Sequence, residues 1–530
     1  MKILFNKFYK KRNYFLLALI FYSIYCAISI GRTWDEGFHL NQGRVILNYL
    51  LSFGKIDEQI LYRENYSTLY WSFSYLITKI FPAQYSIQVS HLINLSFSLL
   101  TVIGIGKLCK ELFNKEVGKI ALLILLFYPL FFGHMAFNSK DTILAFSHVW
   151  IFYYVLKYLK NQNSSQKSFK YLIIVGLLSS LATGIQMVFL GSLLPILIFL
   201  PLEIFIFKIF ISNKFNSKKF LIDLGKCFIV FYSSLIFFWI DAYPNIFLLP
   251  INALIETFSS EYWTGWSYNL VNGNYYNSDN VPFTYLLINF IFKSPEYLLL
   301  LYALFIIILF SKFNFYIKKF KNFKIKLLLI VSLLIFPNLI LFINPYPLYD
   351  GIRLFLWTIP YITIIPALTF FYLIKNTNLL LIKSTLSFVS ILIIFFLYNF
   401  FIITPYHYTY LNVFNSKKEL RYQKFENDYW GASIKELVKK SNFDKNKPIL
   451  ITTCGLNTHV LKQYMKNKYK NKFSIVPENK AEFIIMTNRT VKNNKPNLNS
   501  ITNCFDKYGG SDVFTVKRNK LILSTIRKLN

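Results

Sequence analysis

Acidic side chains are scarce in this chain: 25 Asp and Glu stand against 58 Lys and Arg in 530 residues. Each carboxylate that borders an apolar run therefore stands out. Cysteine is scarcer still, with five in all, which excludes a disulfide-dense scaffold, and no Cys/His spacing resembles a zinc site. Cys26, Cys109 and Cys227 fall in or beside apolar segments. Cys454 and Cys504 alone are expected to share an outer compartment, and spacing leaves open whether they pair. A glycine-rich nucleotide fingerprint is also missing.

What fills the chain instead is apolar: 55% hydrophobic and 19% aromatic residues, with mean hydropathy +0.41. A helix needs about 20 residues to cross about 30 Å of hydrocarbon, and runs of that kind recur from Tyr14 to Thr404. They predict a polytopic α-helical membrane protein with about eleven spans, roughly at 14–30, 86–106, 118–133, 141–157, 170–187, 188–207, 227–243, 283–311, 326–343, 354–374 and 384–404.

Charge sets the expected orientation. Lys2, Lys7, Lys10, Lys11 and Arg12 precede the first span and hold the N-terminus in the cytoplasm by the positive-inside rule. With no small-residue cleavage site evident, that span reads as a retained signal-anchor. Every second connection is then basic, as at Lys107, Lys110, Lys115 and Lys119, or Lys312, Lys318, Lys319 and Lys321. The opposite connections hold most acids near the membrane, including Asp35, Glu36, Glu64, Asp141, Glu261 and Asp350. The net charge of +33 is thus spread over loops rather than gathered on one face, and implies no nucleic-acid partner.

The outer side has its own elements. The loop at 31–85 carries amphipathic stretches, Asn41 to Phe53 and Tyr66 to Phe81, that suit helices lying in the interface. A second loop contains turn formers between Gly273 and Pro282. The spacing predicts a transmembrane domain over 1–404 and a small extracytoplasmic α/β domain over 405–530. Its strands are expected at 448–452, 482–486, 512–516 and 521–524, and its helices at 433–440 and 457–469.

Three constellations fall on the expected outer side. The first is Trp34-Asp35-Glu36, where a span would ordinarily end in a cation or an aromatic anchor. The second is Asn138-Ser139-Lys140-Asp141, in which Asn138 caps the next helix and Lys140 supplements the helix dipole toward an anion. The third is Tyr349-Asp350-Gly351-Ile352-Arg353 at the head of an apolar helix. Each has a plainer reading alone: a solvated loop, a cap, a snorkelling arginine. Their convergence on one side favours a site.

External carboxylates, external cations and an interfacial cavity suit glycosyl transfer from a lipid-phosphate sugar. The cations offset the departing phosphate and a carboxylate takes the acceptor's proton. The alternative is a transporter or flippase for an anionic lipid or solute, which calls for mid-span charges and related halves that the chain does not display. A non-catalytic scaffold leaves Asp35-Glu36 unexplained.

At these residues the chain resembles the polyprenyl-phosphate-sugar-dependent membrane glycosyltransferases of the protein O-mannosyltransferase type, which include the bacterial lipid A aminoarabinose transferases. Asp35-Glu36 matches the family's Asp-Glu pair after the first span, Asn138 to Asp141 its Asn-Pro-Lys-Asp element, and Gly351-Ile-Arg353 its late Gly-x-Arg. Pro405 to Asn412, Phe425 to Gly431, and Gly273 with Pro282 and Tyr285 are similar to further segments of the bacterial branch. Ser139 replaces the usual proline, Leu354 stands where many relatives have histidine, and the turn at Thr183 to Gln186 lacks an arginine.

The resemblance implies a C-type glycosyltransferase fold in the bacterial inner membrane and a polyprenyl-phosphate-linked sugar donor. It implies a hydroxyl acceptor on protein, lipid A or glycan, and inversion at the anomeric carbon. It further implies Asp35 as base, Glu36 as its partner and Asp141 as support. Lys140 and Arg353 would hold the phosphate, with Asn138, Tyr349 and Asp350 at the substrate. No nucleotide site is required, and a divalent metal ion, which occurs in some relatives, is left open because Asp35, Glu36 and His39 give no diagnostic ligand spacing; His39 and His134 read as interfacial hydrogen-bonding residues rather than ligands.

Overall fold

The computed structural model describes residues 2–58, 67–257, 265–343, 346–444, 447–492 and 501–530, with the backbone alone for 2–13 and 15. Glu64, Tyr66, Glu261, Asn344 and the side chains of the N-terminal cations lie outside what is described.

The apolar runs fold as helices because only intrasegment hydrogen bonds satisfy a backbone placed in hydrocarbon. The first is α1 (Lys2–Ser29). Two short helices then follow, α2 (Glu36–Leu51) and α3 (Leu69–Thr78), in the loop where interfacial helices are expected. They lie close together: a Cβ on Gly43 of α2 would come within 2.2 Å of the Trp71 carbonyl oxygen in α3. Only glycine allows that approach, which fixes the helix carrying Glu36 against the one carrying Trp71.

Next come α4 (Ser86–Leu112), α5 (Lys115–Leu126), α6 (Pro129–His134), α7 (Asp141–Asn161) and α8 (Ser165–Ile185). Eight described helices are long and apolar enough to cross a membrane, among them the segments at 83–112, 141–161, 165–185 and 353–375. Three of the eleven expected runs lie outside these eight: 14–30 falls in α1, whose side chains are described only in part, and proline interrupts the other two. The run at 118–133 divides into α5 and α6 at Pro129, which has no N–H to continue the first helix. The run at 188–207 breaks into Phe189–Ser192, Leu194–Leu202 and a π-turn at Glu203–Phe207, with Pro195 and Pro201 inside. The run at 283–311 separates at Ser294-Pro295 into Tyr285–Lys293 and Glu296–Lys319, and the second part still supplies the one span expected there.

Burial differs sharply among the spans. Those at 141–161 and 353–375 are 78% buried, against 50% or less in the other six. The two spans that begin with Asp141 and Arg353 therefore form the centre of the bundle, and the others leave long apolar faces for lipid.

A small C-terminal sheet domain completes the fold. A hairpin, β1 (Tyr268–Val271) and β2 (Asn274–Asn277), precedes it and turns at Asn272 and Gly273, both at positive φ. The domain holds β3 (Ile449–Cys454), β4 (Phe473–Ile475), β5 (Phe483–Thr487), β6 (Thr490–Lys492), β7 (Ile501–Asn503), β8 (Ser511–Arg518) and β9 (Leu521–Lys528). Five strands pair in the order β4-β3-β5-β9-β8, parallel around β3 and antiparallel around β9. The helices Ile434–Lys440 and Thr458–Tyr469 stand close to their expected places.

The sheet domain is tied to the bundle by charge. Lys435 donates to the carbonyls of Ile28, Ser29 and Ile30 at 3.2 to 3.4 Å, the favourable position for a cation at a helix C-terminus. Arg518 donates through Nε to the Thr404 carbonyl at 2.7 Å. Cys454 and Cys504 form a disulfide with Cα atoms 5.8 Å apart, which answers the pairing that spacing left open.

Candidate active site

Asp35 and Glu36 are neighbours with different surroundings. Glu36 is buried, and its Oε2 accepts from the Thr33 backbone N–H at 2.6 Å and from the Thr33 hydroxyl at 2.8 Å. Its Oε1 lies 2.5 Å from His91 Nε2, whose other nitrogen donates to the Ala27 carbonyl at 2.8 Å. Both oxygens are thus held by the protein, which anchors the start of α2 to α4. Asp35 is only half-buried and precedes α2 without spending its carboxylate on a cap.

That carboxylate lines a small cavity together with Glu36, His39, Asn138, Ser139, Lys140 and Trp430. The first two constellations therefore meet. Asn138 shapes the second one: its Oδ1 accepts from the Asp141 backbone N–H at 3.1 Å and its Nδ2 donates to Asp141 Oδ2 at 2.7 Å. Ser139, where the resemblance has proline, accepts from the Trp71 indole at 3.3 Å and so links this turn to α3. His39 stacks on Trp71 at 4.2 Å with its Nδ1 on Gln42. Burial first and the nearby Lys140 second push its pKa down to about 4, so His39 is neutral beside the lysine near pH 7.

The third constellation forms a second wall of the site, outside the lining of that cavity and joined to it through Trp430. Arg353 Nε is 3.6 Å from Asp141 Oδ2, and its Nη1 is 3.4 Å from Asp350 Oδ2. The guanidinium lies over the rings of Tyr349 and Trp430 at 4.9 and 4.7 Å. Asp350 and Gly351 turn with positive φ, 59° and 70°, and a Cβ on Gly351 would come within 2.9 Å of Lys293 Nζ and Asn289 Oδ1. The glycine of Gly-x-Arg is thus required by both backbone and space.

Sequence reasoning missed the residues that lock this wall. Arg489, between β5 and β6, bonds Asp350 and reaches Glu426 Oε2 at 3.4 Å. Its guanidinium lies over Trp266 at 4.5 Å. Burial lifts the carboxyl of Glu426 and Arg489 opposes that lift; Asp350 and Glu426 together outweigh the burial of Arg489 and raise its pKa further. The segment Phe425 to Gly431 was visible as a motif, yet nothing local marks Arg489. His134, as expected, serves as a hydrogen-bonding residue, with its Nε2 3.0 Å from the Tyr429 hydroxyl.

Beside Arg353 an apolar groove of about 190 Å³ runs among the spans, lined by Leu286, Phe290, Leu334, Pro337, Ile352 and Phe355 among others. No cluster of three or more His, Cys, Asp or Glu side chains suited to a metal occurs among the described residues. With both Glu36 oxygens engaged, Asp35, Glu36 and His39 do not fit a metal ion.

The family model described as dolichyl-phosphate-mannose-protein mannosyltransferase matches residues 69–237. No curated protein matches. Among solved structures, ArnT from Cupriavidus metallidurans in the apo state is similar with a TM-score of 0.52 at 11% identity, covering 97% of both chains. The same protein bound to undecaprenyl phosphate gives 0.47 at 12% identity, again over 97% of each chain. The apo oligosaccharyltransferase of Archaeoglobus fulgidus gives 0.45 at 11%, over 89% of this chain and 69% of that one. Over 69–237 the chain is similar to the dolichyl-phosphate-mannose-protein mannosyltransferase family, and over nearly its whole length it shares the fold of ArnT.

Proposed function

We propose that the protein is a membrane glycosyltransferase that moves a sugar from a polyprenyl-phosphate donor to a hydroxyl of an envelope acceptor. The observation that carries this reading is the single cavity lined by Asp35, Asn138 and Lys140. An acceptor hydroxyl there meets a carboxylate base and a cation within one small space.

In the reaction the acceptor oxygen forms a bond to the anomeric carbon and its proton passes to Asp35. The bond from that carbon to the phosphate oxygen breaks, and the electron pair leaves on polyprenyl phosphate. Attack opposite the leaving group inverts the carbon. Lys140 and Arg353 offset the charge that develops on the phosphate, while Asp141 and Asp350 orient Arg353. Asn138 fixes the turn that carries Lys140, and Tyr349 holds the guanidinium from its ring face. Glu36 positions Asp35 by anchoring the first turn of α2. The apolar groove beside Arg353 suits the prenyl chain.

In this reading the N-terminus is cytoplasmic in a bacterial inner membrane. Residues 1–404 form the transferase unit, and the site and the domain at 405–530 face outward. Mass spectrometry of envelope proteins, lipids and glycans from cells with and without the gene tests it. The expected result is one hexose or aminosugar missing from one acceptor; identical profiles would count against transfer.

A further inference from the structure

A separate small cavity lies where the end of helix Leu380–Ile402 meets the sheet domain. Phe395, Asn399 and Ile403 line it on the bundle side, and Lys418, Arg421 and Arg518 on the other. Its cations differ in how they are engaged. Arg518 is paired with Glu436 at 2.6 Å, and Lys418 donates to Asn519 Oδ1 at 2.7 Å. Glu296 is the carboxylate in the lining, and its two oxygens accept from the Tyr410 hydroxyl at 3.0 Å and the Val413 N–H at 2.9 Å.

Arg421 has no such partner. It is only 8% exposed, and its Nη1 donates to the neutral Leu411 carbonyl at 2.7 Å. Its Nε is buried without a hydrogen-bond acceptor among the described residues. A guanidinium does not shed its proton in a protein, so a buried one calls for an anion. Burial pushes its pKa down, and Tyr410 and Glu296 only partly oppose that.

We propose that this cavity binds a phosphate-bearing anion, with Arg421 as the principal ligand, Lys418 and Arg518 as its cationic rim, and Phe395 and Ile403 against any attached chain. The planar fork of arginine matches phosphate oxygens in pairs. The apolar wall belongs to a helix long enough to span the membrane, which suits a phospholipid headgroup, while a soluble phosphate offers the same chemistry. None of this depends on the roles given to Asp35, Lys140 or Arg353, so the two readings fail separately.

The purified full chain in detergent is titrated with short-chain phosphatidylglycerol, with diacylglycerol of the same chain length, or with inorganic phosphate, and thermal unfolding is followed. A saturable rise in Tm is expected with phosphatidylglycerol and not with diacylglycerol. Arg421→Met should weaken half-saturation by about tenfold or more, and Arg421→Lys by less, as expected for a charge-assisted contact. The same Arg421-dependent rise with inorganic phosphate supports the site and assigns it to a soluble anion. An equal response to diacylglycerol, or equal responses of wild type and Arg421→Met, overturns the proposal. If Arg421→Met does not fold, Lys418→Gln carries the test: about threefold weaker binding is expected from loss of a rim charge, and unchanged binding overturns it.

Discussion

The two walls of the candidate site are built by different means. Asp35, Asn138 and Lys140 come from two short runs beside helix starts, and they meet around one cavity. Asp350 and Arg353 are instead locked by Arg489, 139 residues from Asp350, and by Glu426. The first wall presents chemistry at little structural cost. The second buries a closed ion network whose members strand one another when one is removed. Substitutions of Asp35 and Lys140 should therefore separate activity from stability, and substitutions in the second wall should lose both.

The largest effect is expected at Arg489, where Arg489→Met leaves Asp350 and Glu426 buried without their partner. A loss of about 3–5 kcal/mol is expected in denaturant or thermal unfolding, along with lost transfer. An unchanged Tm would remove the distinction between the walls. Lys140→Met should lower transfer about 10²-fold, or about 2.7 kcal/mol, with Tm nearly unchanged. A large drop in Tm instead would move Lys140 to the structural side.

Glu36→Gln sharpens the contrast inside one pair of neighbours. Replacing a carboxylate held by Thr33 and His91 should cost about 1–3 kcal/mol of stability, while the folded fraction keeps more activity than any Asp35 variant. The smallest effect concerns Glu436 at the seam of bundle and sheet domain. Burial alone would raise its pKa, but Arg518 and Lys440 bring it down to about 2. Its folded pKa is depressed, so its contribution is present above the unfolded value of about 4.3 and is lost as pH falls toward about 2. Glu436→Gln should flatten the acid limb of the stability profile in that interval.

Much of this was legible because its signals are local. Asp35, Lys140, Asp141, Gly351 and Arg353 each sit at the edge of an apolar run, where a polar group is conspicuous. The disulfide was open because spacing carries no Cα separation. Where continuous helices break was not legible, because hydropathy does not register Pro129 and Pro195 inside the apolar runs at 118–133 and 188–207. Arg489 was invisible for a different reason: it occupies an ordinary turn between β5 and β6, and only the folded sheet domain brings it to Asp350. Arg421 was likewise one basic residue among 58 until burial set it apart.

The central claim is that Asp35 takes the acceptor's proton. Purified Asp35→Asn, given a polyprenyl-phosphate sugar and the acceptor found by envelope profiling, isolates that step in a single-turnover measurement of sugar transfer. Transfer about 10²- to 10⁴-fold slower, with Tm and donor binding unchanged, is the expected result. A single-turnover rate equal to wild type would contradict it.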